Sequence, residues 1–395
     1  IGYSYYLWGI IRKMMDQISY DIAIIGAGIA GASVAAALGD GVKIALVEQE
    51  QQPGYHSTGR SAAIYSPTYG PTPIRALTRA SLAYFLTGVS DEQQSFLTPI
   101  DAAFIARADQ NCSFNALCRE LNGVMNWREM EANEIQNRVS FLREGYVSKA
   151  FVDSGTSEID VALLHQSFLK AFSHNGGTLL NSTEVLELKK QKNGWLVKTN
   201  QGEFVTKIIV NAAGAWAEQI GSLAGAECIG LTPKRRTALI VEPPSGADLS
   251  RIPLVIDIDE QFYLKPYGSK LLISPANQDP VQPCDVQPDE MDIAICVDRI
   301  QRAFDIEINR IEHSWAGLRS FVADKCPVVG FSNKVDDFYW LAGQGGYGIQ
   351  SSPALGMLAA SEILGSAIPD PILESGLALD SIRPGRGKLR SDQKC

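Results

Sequence analysis

Three glycine-rich runs in this sequence are of the type that lets backbone approach a ligand closely. In the first, Gly26-Ala27-Gly28-Ile29-Ala30-Gly31, the glycines stand at 26, 28 and 31. That spacing permits a tight turn, close approach to a pyrophosphate and close packing of a helix on a strand. A helix starting there would offer unpaired N–H groups and the positive end of its dipole to phosphates. Glu48 follows twenty residues beyond Gly28, where a carboxylate accepts hydrogen bonds from a ribose. Residues 211–216, with Gly214, form a second small-residue turn, and residues 343–348 a glycine loop near the C-terminus. Any one of these could be a plain strand-to-helix turn. Strand, turn, helix, strand and acid in succession point instead to a dinucleotide site, and the two later turns to enclosure of one long cofactor.

The elements that must hold these turns are legible around them. Residues 20–25 read as a short buried strand, followed by an Ala-rich helix to about Leu38 and a second buried strand over 42–47. This is a β-α-β unit, which implies a parallel sheet. A helix is expected over 74–85, and 98–148 gives no clear periodicity. Asp160 can cap a helix through Leu163, Phe168 and Phe172 that Gly176 and Gly177 end. Strands follow at 178–180, 184–189, 195–199 and 207–211. Residues 231–315 read as strands punctuated by Pro and Gly, an antiparallel sheet inserted into the first domain. A strand at 338–342 and a helix over 351–364 flank the last glycine loop.

Composition bounds the class. The chain has 395 residues, 45% apolar and 20% charged, the balance of a folded protein long enough for two domains. Its net charge of −9 argues against a nucleic-acid partner. Seven dispersed cysteines without a C-x-x-C suit free thiols in a reducing compartment, and the four histidines form no pair at ligand spacing, so no metal is expected. The apolar, aromatic residues 1–13, with Arg12 and Lys13 behind them, are too few to span a bilayer and carry their charge on the wrong side for a secretory signal. They read as an upstream extension or a short interfacial anchor. The expected location is cytoplasmic, or loosely membrane-associated.

Longer blocks carry a resemblance. They are Gln52-Pro53-Gly54-Tyr55-His56-Ser57-Thr58-Gly59-Arg60-Ser61-Ala62-Ala63, Pro233-Lys234-Arg235-Arg236, Phe262-Tyr263-Leu264-Lys265-Pro266, Trp315-Ala316-Gly317-Leu318-Arg319-Ser320-Phe321 and Gln344-Gly345-Gly346-Tyr347-Gly348-Ile349-Gln350. Over residues 20–384 the chain resembles the D-amino acid oxidase and glycine oxidase family of FAD enzymes, and within it the bacterial D-arginine dehydrogenases. The resemblance implies an α/β FAD-binding Rossmann-type domain over 14–90, 148–230 and 318–384. An inserted α+β substrate domain, dominated by a mixed or antiparallel sheet, would then take 91–147 and 231–317. It implies non-covalent FAD held by Gly26, Gly28, Ala30, Gly31, Glu48, Gln49, the loop from Ser57 through Thr58, Gly59, Arg60, Ser61, Ala62 and Ala63 to Ile64, Val185, Gly214, and the loop of Gly345, Gly346, Tyr347, Gly348, Ile349 and Gln350.

The resemblance also implies that Arg319 and Tyr69 act on the substrate, with Arg236, Tyr263 and the backbone at Gly346 assisting. Arg suits the task because its planar guanidinium binds a carboxylate through two parallel bonds and stays charged. Arg235 and Arg236 are adjacent in a strand-like segment, so only one can face a given site. Two positions depart from the D-arginine dehydrogenases: Ile64 stands where they have a histidine and Ala102 where they have a side-chain-binding glutamate. Neither can pair with a cation, and Asp101 could take over only through a shift of register. The implied activity is oxidation of a D-amino acid at its CH–NH2 group to an imino acid, hydrolysed to a 2-oxo acid and ammonia, with oxygen or a quinone as acceptor. Alternatives are a glycine or sarcosine-type oxidase, a 2-hydroxy acid dehydrogenase on the same fold, and a non-catalytic flavin-binding protein.

Overall fold

The computed structural model describes residues 18–88, 95–123 and 126–389; the expected extension at 1–13 lies outside them. They divide into two compact units. The first is built from the described parts of Ile1–Thr58, Ala162–Leu231 and Ser320–Cys395, the second from those of Gly59–Val161 and Thr232–Arg319.

The first unit is an eight-stranded sheet. Strand Ser19–Ile25 lies between Gly202–Asn211 and Ile44–Val47, parallel to both, and Thr178–Leu180 extends the parallel edge beyond Ile44–Val47. Val185–Gln191 and Gly194–Thr199 continue it antiparallel on the other side, and Phe338–Ala342 pairs in parallel with the end of Gly202–Asn211. The central strands are apolar at nearly every position because both faces are covered. Ala23, Val47, Val197, Ile209, Phe338 and Trp340 share one core with Ile220 of helix Ala217–Ala224. Helices Ile29–Ala37 and Gly348–Leu364 pack against each other closely enough that a methyl on Gly356 would stand 2.7 Å from the Ser33 backbone.

The second unit is a nine-stranded sheet whose path runs Asp279–Pro280, Thr232–Val241, Lys270–Ser274, Tyr263–Tyr267, Leu254–Asp257, Ala102–Ala106, Lys149–Asp153 and Trp127–Met130. Strand Ile311–Phe321 also pairs with Thr232–Val241. All pairs whose register is resolved are antiparallel except Leu254–Asp257 with Ala102–Ala106. Side chains alternate between its faces. Ala103, Ile105, Val152, Leu239, Val241 and Val255 pack with Ile135 of helix Ala132–Arg138 and with Cys296 and Ile300 of helix Glu290–Ala303. The alternate residues, Ala102, Phe104, Phe151, Leu254, Ile256, Ala238 and Ile240, form two clusters on the opposite face. A small sheet of Ile64–Tyr65, Ser157–Ile159 and Leu97–Pro99 completes the unit.

The structure departs from the sequence expectation at two points. The stretch 231–315 is not all strand: it contains the 14-residue helix Glu290–Ala303, whose first turn is capped by the Asp289 carboxylate accepting Met291 N–H. Five cysteines, Cys112, Cys118, Cys284, Cys296 and Cys326, are free thiols, but Cys228 is disulfide-bonded. Among the described residues no helix is long and apolar enough to cross a membrane.

Candidate active site

In the first unit the glycine turn sits at the C-terminal end of strand Ser19–Ile25 and opens helix Ile29–Ala37, with Gly28 at its N-cap. Two of its glycines are dictated by space. Gly26 has φ +101°, and a methyl there would stand 2.5 Å from the Ala212 carbonyl oxygen; a methyl on Gly31 would stand 1.8 Å from the Gly26 carbonyl oxygen. The Thr58 hydroxyl accepts the Ile29 N–H at 2.9 Å. The buried Glu48 carboxylate accepts Ala27 N–H through one oxygen (2.9 Å) and Glu50 N–H through the other (3.0 Å). Each oxygen keeps a lone pair for a further donor, which suits ribose hydroxyls.

His165, whose role the sequence did not reveal, supports this turn. Its Nε2 lies 2.9 Å from the Ala27 carbonyl oxygen, and burial lowers its pKa, so the neutral ring donates that bond. Gly54, at φ +78°, makes room for the imidazole, since a methyl there would stand 2.9 Å from Cε1. Gln49 follows Glu48 past the end of strand Ile44–Val47, Val185 starts strand Val185–Gln191, and Gly214 (φ +55°) opens a short 3-10 turn. In the C-terminal loop Gly345 has φ +57° and donates its N–H to the Ser320 carbonyl; a methyl there would stand 2.2 Å from the Phe321 ring. This loop, with Gly346 and Tyr347, runs into the N-terminus of helix Gly348–Leu364, where Ile349 and Gln350 are buried. A backbone cradle that no side chain could occupy, two helix N-termini and a ribose-competent carboxylate fit a flavin dinucleotide.

In the second unit a different chemistry gathers. Arg236 shares its face of strand Thr232–Val241 with Ala238 and Ile240, while Arg235 points the other way and is neutralised by Asp292 (2.6 Å) on helix Glu290–Ala303. Arg236 is buried. Its Nε donates to the Asn277 carbonyl at 2.9 Å, whereas its Nη2 has no hydrogen-bond partner among the described residues. Burial, and then the positive charge of Arg319, lower the pKa of this guanidinium; Tyr263, Tyr69 and Glu260 act in the opposite sense. Tyr69 therefore lies in the same electrostatic neighbourhood as both arginines. Burial pushes its pKa up to about 12, the Glu260 carboxylate adding to the shift through charge and a hydrogen bond.

Glu260 escaped the sequence reading. It is a non-glycine residue at φ +53°, held by its N–H bond to the Asp257 carbonyl (2.8 Å), and it accepts a bond from Gln278 Nε2 at 3.2 Å. The uncommon left-handed backbone that marks it is invisible in sequence.

Tyr263 packs on Ala238, Ile240 and Leu272 and also against the cluster of Ala102, Phe104, Leu254 and Ile256, which Ile64 joins. Ala102 is fully buried, and Asp101 points away from its face to pair with Arg138 at 2.8 Å. Lys265, two residues after Tyr263, is buried and paired with Glu158. Of the loop beyond Thr58, Gly59 leads into Arg60, whose guanidinium is committed to the Val286 and Ala316 carbonyls and to Asp285. Ser61 and Ala62 follow, and the Ala63 carbonyl accepts Ile159 N–H.

The family model described as FAD dependent oxidoreductase matches residues 21–362. Among curated relatives, a glycine oxidase of Geobacillus kaustophilus is 22% identical over 366 residues, covering 86% of this chain and 92% of that protein. A glycerol 3-phosphate dehydrogenase of Caloramator mitchellensis is 24% identical over 242 residues, and there the match spans about half of the relative, 48%, and 58% of this chain. The crystal structure of glycine oxidase from Geobacillus kaustophilus superposes with a TM-score of 0.78 at 21% identity, covering 89% of this chain and 96% of that one, which establishes a shared fold. The family match takes in most of the chain, both the glycine turn and the arginine-bearing strands, and the chain belongs to the DAO family of FAD dependent oxidoreductases.

Proposed function

We propose that this chain oxidises a small α-amino acid at its C–N bond, with a D-amino acid of neutral side chain as the leading substrate. The imino acid formed would be hydrolysed to a 2-oxo acid and ammonia. The first unit is assigned to FAD and the second to the substrate. The observation that carries this reading is the buried Arg236 Nη2 without a partner, next to a second guanidinium, Arg319. Two neighbouring guanidiniums in a buried site repel each other, and with one Arg236 donor unused a substrate carboxylate gains both a hydrogen bond and a favourable charge there. Tyr263 offers a further hydroxyl, and the Tyr69 hydroxyl, which donates to Glu260, would exchange that acceptor for the substrate carboxylate.

The rest of the substrate is limited by what surrounds this anion site. The substrate side chain is assigned to the side of Tyr263 and Ile64, which pack on the apolar cluster of Ala102, Phe104, Leu254 and Ile256. An uncharged amine leaves its lone pair available to stabilise the forming C=N bond, so positioning supplies most of what the protein must add. FAD, when bound, accepts the hydrogen and the electron pair removed from the substrate. Whether oxygen or a quinone then reoxidises it is an independent property.

The test is a screen of D- and L-amino acids, glycine, sarcosine, 2-hydroxy acids and glycerol 3-phosphate, with oxygen and with an artificial electron acceptor. Reduction of the flavin by neutral D-amino acids ahead of all others is expected. Turnover confined to 2-hydroxy acids or glycerol 3-phosphate would replace the amine reading with an alcohol one.

A further inference from the structure

We propose that Asp153 is a positioning residue whose buried carboxylate pins the turn carrying Tyr69 and thereby sets the reach of that phenol toward the substrate carboxylate. The proposal rests on the role given to Tyr69 above. Asp153 ends strand Lys149–Asp153, opposite Ala102 in the register and on the same face as Phe151 and Ala102. It is fully buried and, among the described residues, makes no ion pair within 4.0 Å. Its carboxylate is met by neutral donors: the Thr68 hydroxyl at 2.5 Å and the Ser66 hydroxyl at 3.4 Å on one oxygen, and the Gly155 N–H at 2.8 Å on the other.

Such a carboxylate is expensive to bury, and neutral donors are its only compensation. Both hydroxyls come from the three residues directly before Tyr69. The turn is closed by the Tyr69 N–H donating to the Ser66 carbonyl at 3.3 Å, and Ser66 and Thr68 are themselves buried. Tyr69 is thus fixed at its backbone through Asp153, while its hydroxyl donates to Glu260 and is to exchange that acceptor for the substrate carboxylate. Binding groups need this kind of locked support, because a small displacement of the donor forfeits most of a hydrogen bond. Saturated by its donors, Asp153 is also not available as a counter-charge beside Ala102.

The experiment uses the FAD-loaded protein and reads binding of benzoate, a carboxylate without an amine, from the change it causes in flavin absorbance. Tyr69→Phe should weaken benzoate binding about tenfold, the loss of one hydrogen bond to a charged group. Thr68→Val and Asp153→Ala should each weaken it about fivefold at unchanged FAD content, with Asp153→Asn recovering most of the loss. In the Tyr69→Phe background the same changes should cost less than about twofold, since residues acting through one group are not additive. Equal losses in both backgrounds, or no loss from Thr68→Val in the parent, would overturn the positioning role while leaving Tyr69 at the substrate. Full benzoate affinity in Tyr69→Phe would remove the reading of Tyr69 itself. Should Asp153→Ala not retain FAD, the Thr68→Val cycle decides.

Discussion

On the function proposed above, replacing a neutral D-amino acid by D-arginine should lower kcat/KM sharply. Ile64 and Tyr263, both partly exposed, pack on the apolar cluster of Ala102, Phe104, Leu254 and Ile256, so a substrate side chain directed to that side meets hydrocarbon. A leucine side chain gains about 2 kcal/mol from such surroundings, whereas an unpaired guanidinium loses several kcal/mol. The neighbouring carboxylates are committed, Glu158 opposite Ile64 to Lys265. Asp101 is bound to Arg138 on the other face, Asp153 is saturated by Thr68, Ser66 and Gly155, and Glu260 is engaged by Tyr69 and Gln278 beside two arginines. With about 1.4 kcal/mol per factor of ten, and allowing for a side chain that keeps part of its hydration, D-leucine should exceed D-arginine in kcat/KM by about 10- to 100-fold. The assay is steady-state kinetics with an artificial acceptor on D-leucine, D-methionine, D-proline, D-lysine and D-arginine, in the parent and in Asp101→Ala. The substitution should leave the order unchanged. A higher value for D-arginine would refute the reasoning, and loss of that advantage in Asp101→Ala would show that the strand register differs from the one described.

Other outcomes follow from the same geometry. Arg319→Lys and Arg319→Ala should both weaken benzoate binding at unchanged FAD content, the lysine variant about tenfold because it keeps charge but not the paired donors; parent-like binding in both would put the carboxylate elsewhere. FAD should be released by acid or heat, and a yellow colour that stays with the precipitated chain would contradict non-covalent binding. His165 is held neutral by burial, with a folded pKa below the ordinary 6.5. The unfolded chain therefore takes up its proton first, and this contribution to stability is complete above about pH 6.5 and lost as pH falls below it. Melting temperatures between pH 7.5 and 5.5 should fall less steeply in His165→Gln than in the parent, and identical slopes would show that His165 is not the group responsible.

Local pattern was enough for the first unit's sheet and turns. A run such as Ile22, Ala23, Ile24 and Ile25, closed by Gly26 and followed by an alanine-rich segment, has few physical solutions. The helix over 74–85 and the capped helix after Asp160 were legible for the same reason, and both appear, as Thr72–Thr87 and Val161–His174. The stretch 98–148 was not. Its strand Ala102–Ala106 is buried throughout and alternates no polarity, and helix Asn111–Glu120 buries only Phe114. Helix Glu290–Ala303 was hidden among Pro-punctuated strands, although Asp289 and the acidic first turn were a readable start signal.

The sequence by itself determined the dinucleotide fingerprint, the family likeness, and the alternation that sends Arg235 and Arg236 to opposite faces, because each depends on residues close together in the chain. Tertiary structure alone decided which of the two arginines is neutralised and which is left with a free donor. Asp292, Arg319, Tyr69 and Glu260 come to strand Thr232–Val241 from segments remote in sequence. It also decided that Asp101 serves Arg138, that Asp153 serves Thr68, and that Glu260 stands in a left-handed turn beside Tyr69. The charge of a carboxylate is written in the sequence, but its use depends on which donors the folded chain brings within about 3 Å.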